Sequence, residues 1–109
     1  MATKIKLHLR EDNDEVVVLY ALMNGEPRNI TGCLLEFYIK VDANHSDAES
    51  ERLASDNGHI AILDGAEGIA EVSIPRAYLT PDMKFWRYDV IDGNTRNTHL
   101  YGTLEVANT

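Results

Sequence analysis

Residues 29–40 read NITGCLLEFYIK, and their spacing decides the fold. Cys33, Leu35, Phe37 and Ile39 fall at every second position, and Val41 continues the series. Period two places successive side chains on opposite faces of a strand, whereas a helix needs apolar residues three and four apart. The stretch is therefore read as a central strand with that series in the core. Leu34, Glu36, Tyr38 and Lys40 then point the other way, free to meet solvent or a partner.

Working toward the amino terminus, residues 24–27 (Asn-Gly-Glu-Pro) accept left-handed or fixed backbone angles and mark a turn. Before it, residues 15–23 (EVVVLYALM) are β-branched and apolar at both parities, so they form a strand whose core side periodicity leaves open. Residues 4–10 alternate Ile5, Leu7 and Leu9 against Lys6, His8 and Arg10, the pattern of a strand covered on one side, and residues 11–15 make a polar turn.

Toward the carboxyl terminus, residues 42–57 are polar and acidic and are read as an exposed loop, with spacing for one helical turn over 48–54. Residues 58–63 and 68–74 alternate and are joined through Asp64-Gly65, a dipeptide suited to tight turns. The expectation is a hairpin with Ile60 and Ile62 opposite Val72 and Ile74. Two prolines in residues 75–83 flank Ala77, Tyr78 and Leu79, which suits a short helical crossing between sheets. Residues 85–91 form a strand with Trp86, Tyr88 and Val90 in the core. Asp92-Gly93-Asn94 turns it into residues 98–106, where Leu100, Gly102, Leu104 and Val106 share one face. Seven short strands separated by turn signals, with almost no helix, predict an all-β antiparallel sandwich.

A chain of 109 residues is sized for one domain, 1–109. Its longest apolar run, residues 16–23, is far short of the roughly 20 residues that cross a bilayer. The amino terminus lacks the continuous apolar region of a secretory signal. A formal net charge of −8 opposes binding to a phosphate backbone, which needs clustered Lys and Arg. Neither a membrane nor a nucleic acid is expected as a partner. The single cysteine, Cys33, cannot close an internal disulfide and is read as a buried inert thiol, in keeping with cytoplasmic folding.

The order of motifs resembles a known family. A strand pair precedes "NGEP", then "ITG" opens a strand ending at Lys40, and the hairpin "DGAEGIAEVSI" follows. A proline-containing crossover, the aromatic strand "FWRYDV" and a closing "LYGTLEV" complete it. Over residues 14–106 this series resembles the small immunoglobulin-like domains of tail, baseplate and fibre proteins of tailed bacteriophages, especially the N-terminal domain of the baseplate upper protein family. The resemblance implies an immunoglobulin-like sandwich with one short helical crossover, serving as a virion attachment module assembled in the host bacterial cytoplasm. Family members often carry the domain at the start of a longer fibre chain, whereas here it is read as the whole protein. The resemblance implies no catalytic residue and no cofactor, and it implies other tail or head proteins, or symmetric copies of the chain, as partners.

In an immunoglobulin-like topology, residues 29–41, 85–91 and 98–106 lie side by side. Their outward faces would display Leu34, Glu36, Tyr38 and Lys40, then Phe85, Arg87, Asp89 and Ile91, then His99, Tyr101, Thr103 and Glu105. Tyr38, Phe85, Arg87 and Tyr101 are candidate interface residues, because Tyr and Arg bring area and directional bonds to interfaces. The plainer reading is a solvated face of cross-strand pairs. Family spacing, with Tyr20 ten positions before Ile30, points Val16, Val18 and Tyr20 into the core. Val17, Leu19, Ala21 and Met23 then form a second row that a neighbouring subunit would cover; the plainer reading has the chain's own termini or loops cover it.

Asp42, Asn44, Asp47 and Glu49 invite a calcium reading, but the sixth position of an EF-hand loop requires glycine and here holds Asp47. His8, His45, His59 and His99 are scattered without zinc-ligand spacing. No nucleophile elbow, phosphate loop or paired-acid motif is visible, so neither metal nor catalytic residues are assigned. The expected function is a non-enzymatic phage structural protein. The alternative is a carbohydrate- or receptor-binding module stacking its ligand on Tyr38, Phe85, Arg87 and Tyr101.

Overall fold

A computed structural model describes residues 2–11, 13–42 and 44–107. Asp12, in the turn expected over 11–15, and Ala43, in the loop expected over 42–57, lie outside the described residues, as do Met1, Asn108 and Thr109. The strands in chain order are β1 (Thr3–Lys4), β2 (Leu7–Arg10), β3 (Glu15–Tyr20), β4 (Leu22–Met23), β5 (Glu26–Pro27) and β6 (Leu34–Lys40). They continue as β7 (Glu51–Ala54), β8 (Ile60–Asp64), β9 (Ile69–Ile74), β10 (Phe85–Asp92) and β11 (Thr95–Ala107), with 3₁₀ turns at Asp47–Glu49 and Arg76–Tyr78. The second of these turns is the expected helical crossing.

The large sheet runs β1, β11, β10, β6, β7, with β2 also pairing β11, and the small sheet runs β3, β9, β8. Together they make an immunoglobulin-like β-sandwich in which β6, β10 and β11 adjoin as expected. The seven-strand, wholly antiparallel expectation needs one revision, because β1 and β2 run parallel to β11.

Period two holds through the centre of the large sheet. Leu35, Phe37 and Ile39 of β6 and Trp86, Tyr88 and Val90 of β10 are buried together, with the Phe37 and Trp86 rings stacked at 5.4 Å. Burying one such side chain stabilises the fold by roughly 1.5–3 kcal/mol. Cys33 is half-buried against this cluster, while Val41 turns outward to solvent. Asn24 and Gly25 take positive φ values of 55° and 81° in the turn joining β4 to β5, as their residue types favour.

Four expectations are corrected. First, β3 has the opposite parity: Leu19 and Ala21 are buried and Val17 packs against the core, while Val16, Val18 and Tyr20 are 61%, 46% and 55% exposed. Both parities of β3 are apolar, so the pairing of β3 with β9 alone chose the side. Second, residues 51–54 are a strand rather than loop, and they carry the buried Leu53 and Ala54 against β6. Third, Ile62 pairs Ala70 rather than Ile74, and β8 and β9 are joined by residues 65–68. The positive φ there falls on Gly68, at 70°, so a longer loop replaces the two-residue turn and shifts the register.

The fourth concerns the amino terminus, where Ile5 is exposed instead of sharing the core side with Leu7 and Leu9. The segment breaks at Ile5 because it crosses the backbone at Gly102. The Ile5 N–H donates to the Tyr101 carbonyl at 2.8 Å, and the Trp86 indole N–H donates to the Ile5 carbonyl at 3.1 Å.

Candidate functional site

The outward face of β6, expected to meet solvent or a partner, is covered by the chain itself. Pairing of β7, β6, β10 and β11 brings four side chains into each cross-strand row. One row is Arg52, Tyr38, Arg87 and Tyr101, and the next is Ala54, Glu36, Asp89 and Thr98. A row of cations thus adjoins a row of acids, and Arg96, opposite Ile91, approaches the acids from the other side.

The resulting network is dense. Asp89, fully buried, accepts from Arg87 Nε at 3.0 Å, from Arg96 Nη1 at 2.6 Å and from Thr98 Oγ1 at 2.8 Å. Glu36 accepts from Arg52 Nε at 2.7 Å, and its other oxygen lies 2.6 Å from Arg96 Nη1. Asp47 reaches down from the 3₁₀ turn to accept from Lys40 Nζ at 2.9 Å and Arg87 Nη2 at 2.7 Å. Lys40 also donates to the His45 carbonyl at 2.8 Å, so the segment over 45–47 is tied onto the sheet at two points. Beneath this clamp the Tyr38 ring carries the Arg87 guanidinium at 4.9 Å and is only 4% exposed.

Electrostatics follow from the contacts. The Arg87 guanidinium, helped by Lys40 and opposed by burial, holds the Asp47 carboxyl down at about 2. Burial pushes Glu36 upward, but Arg52 and Arg96 outweigh it and leave the carboxyl below its ordinary value. Glu36 and Asp47, held low by adjoining guanidiniums, are weak bases, and neither they nor the paired Asp89 has a lone cation-free oxygen poised over a cleft. The arrangement locks a sheet face and its covering loop.

Depressed carboxyl values set an acid limit on the clamp. Stability from Asp47 is present above its unfolded value near 3.8 and is lost as pH falls toward about 2. Proteolysis at residues 42–50 is expected to begin at lower acidity in Asp47→Asn than in the parent; equal cleavage profiles would show that Asp47 does not hold the segment.

A second polar cluster stands where β11 bulges. Tyr88 pairs Leu100 and Asp89 pairs Thr98, which leaves His99 as the extra residue. The bulge turns His99 inward, correcting its expected place on the outward face. Arg28 Nη1 lies 2.7 Å from His99 Nε2, and His99 Nδ1 lies 3.2 Å from the Leu22 carbonyl. One neutral tautomer satisfies both contacts: Nδ1–H donates to Leu22, and Nε2 accepts from Arg28. Arg28 also donates to Asn97 Oδ1 at 3.2 Å, so the β4–β5 hairpin is fastened to β11.

Burial first, and the Arg28 charge second, lower the His99 value below 6.5. A depressed value means that stability is full above the unfolded value and is lost as pH falls through the folded one. Urea unfolding is therefore expected to show a fall in stability below about pH 6.5, which His99→Gln flattens. An unchanged slope in that variant would assign the effect to another group.

The proposed interface residues are placed as follows. Tyr38, Arg87 and Tyr101 share one cross-strand row, with Phe85 in the next, between Lys40 and Thr103. Tyr38 is buried, while Tyr101 remains exposed beside an open groove of about 150 Å³ that Phe85 and Arg87 also line. Val17 and Leu19 face the core, and Met23 is exposed in the hairpin. Asp47 is turned to Lys40 and Arg87 rather than toward Asp42, Asn44 and Glu49, and among the described residues no group of three or more His, Cys, Asp or Glu could hold a metal ion. No helix among the described residues is long and apolar enough to cross a membrane. Sequence spacing did not single out Asp47, Arg52, Asp89 and Arg96 as one network, because they come together only when distant strands pair.

Fold and site together define an immunoglobulin-like sandwich whose large sheet is closed over by an internal ionic network. Solved structures similar to it include the N-terminal domain of phage TP901-1 ORF48, at a TM-score of 0.51 and 14% identity, with 97% of this chain and 84% of that chain covered. Likeness at that identity speaks to the fold, and it spans nearly the whole sandwich. No protein-family model and no curated protein matches the chain.

Proposed function

We propose that the chain is a structural component of a tailed bacteriophage particle, a tail, baseplate or fibre-attachment domain that works through protein–protein contacts in a symmetric assembly. The observation that carries this reading is the likeness to a phage protein's N-terminal domain over 97% of the chain. The sequence motifs noted above point the same way. A non-enzymatic role fits the chemistry, since the buried acids and bases of the large sheet are paired with each other. In this reading the chain acts as one domain, assembled with its particle in the bacterial cytoplasm, and its partners are other virion proteins or further copies of itself. The glycan-binding alternative has lost Tyr38 from its platform to the Arg87 and Lys40 cover.

The test is immunogold labelling of particles released from the source strain with an antibody raised against this chain. Labelling at one fixed site on the tail or head is expected. Particles without label, with the chain found only in the soluble fraction, would refute the reading.

A further inference from the structure

The small sheet carries a face that nothing among the described residues covers. Its outward rows are Val16 with Ser73, Val18 with Glu71 and Ala61, and Tyr20 with Ile69 and Asp64. Val16, Val18 and Tyr20 are exposed, and β3 and β8 both end the sheet, so among the described residues β3 also presents an unpaired backbone edge. A β-branched and aromatic edge without Lys or Pro is a ready template for a further strand.

Charge on this face is of one sign. The outward rows carry Glu71 and Asp64, the joining loop adds Glu67, and none of the three strands holds a Lys or Arg. Glu71 stands half-buried at the centre, between Val18 and Ala61, and among the described residues no Lys, Arg or His nitrogen lies within ion-pair distance of it. This contrasts with the large sheet, where each buried acid has a cation. A carboxylate set among apolar side chains gains most from a cation that arrives with the surface that dries it.

We infer that the outer face of the small sheet, with the free edge of β3, docks a different protein whose extended apolar segment delivers a Lys or Arg to Glu71. A second copy of the chain is disfavoured as occupant, because it would bring acids against acids. The inference rests on the assembly reading above for the existence of a protein partner.

Amide shifts of the isotope-labelled chain provide the test, during titration with a blocked hexapeptide alternating valine and arginine and with its valine–glutamate counterpart. Saturable shifts over residues 16–20 and 69–73 are expected with the arginine peptide alone. Glu71→Gln should weaken binding at least tenfold, while Asp82→Asn, an equal loss of charge elsewhere, should not. Should Glu71→Gln fail to fold, Val18→Lys supplies an internal cation and must likewise abolish binding. Equal shifts with both peptides, shifts mapped to another face, no binding, or self-association of the free chain through Val18 would each overturn the inference. Because the titration involves no particle, its failure alongside fixed immunogold labelling would remove this surface and leave the assembly reading standing.

Discussion

Asp89→Ala is expected to destabilise the fold by about 3 kcal/mol, lowering the melting midpoint by on the order of 15 °C. Asp89 is fully buried and accepts from Arg87, Arg96 and Thr98. Removing it takes the shared acid from between two guanidiniums of β10 and β11, leaving Arg87 with Asp47 and Arg96 with Glu36, which is itself shared with Arg52. The lower end of the range for a broken buried pair applies, because Arg87 and Arg96 are partly exposed and can recover some hydration. Asp89→Asn keeps the shape and one acceptor and should cost less than half as much. By contrast Asp56→Ala, whose carboxylate stands in solvent beside Arg52, should leave the midpoint unmoved. Thermal unfolding of the three variants checks the ordering; equal midpoints for Asp89→Ala and Asp56→Ala would show that the network adds nothing to stability.

Gly102→Val is expected to strip the amino-terminal strands from β11. A Cβ at position 102 would lie only 1.9 Å from the Ile5 carbonyl oxygen, a backbone atom that cannot rotate away. Ile5 must move, and both its hydrogen bond to the Tyr101 carbonyl and its bond from the Trp86 indole go with it. Overpacking of this kind costs about 1–3 kcal/mol, and here the cost falls on strands held at one edge only. Trp86 is the chain's single tryptophan, so its emission reports the event directly. A red shift should accompany loss of hydrogen-exchange protection at the Ile5 amide. Parent-like emission and protection would mean that the strand crosses Gly102 with room to spare.

These two positions also show where sequence reasoning stops. Gly102 was legible as a member of the inward face of its strand, yet nothing local signals that another backbone crosses it. Asp89 was legible as outward-facing, and that orientation is right. Its burial was not legible, because the residues that bury it come from β10 and β11 and, through Arg87 and Asp47, from a loop forty residues away. The same holds for His99, whose inward turn depends on a bulge that exists only as a mismatch between paired strands.

By itself the sequence determined the strands with clean alternation, their turns, and the buried positions Leu35, Phe37, Ile39, Trp86, Tyr88 and Val90. Period two with apolar residues on one parity has a single way to be buried, so local pattern and global fold agree there. Tertiary structure alone decided the inward side of β3, where both parities are apolar and only pairing with β9 selects Leu19 over Val18. It also decided that the mixed face of β6 is covered while the face of the small sheet is left open. A charged side chain's exposure depends on whether an opposite charge is brought to it, and that partner is set by strands and loops distant along the chain.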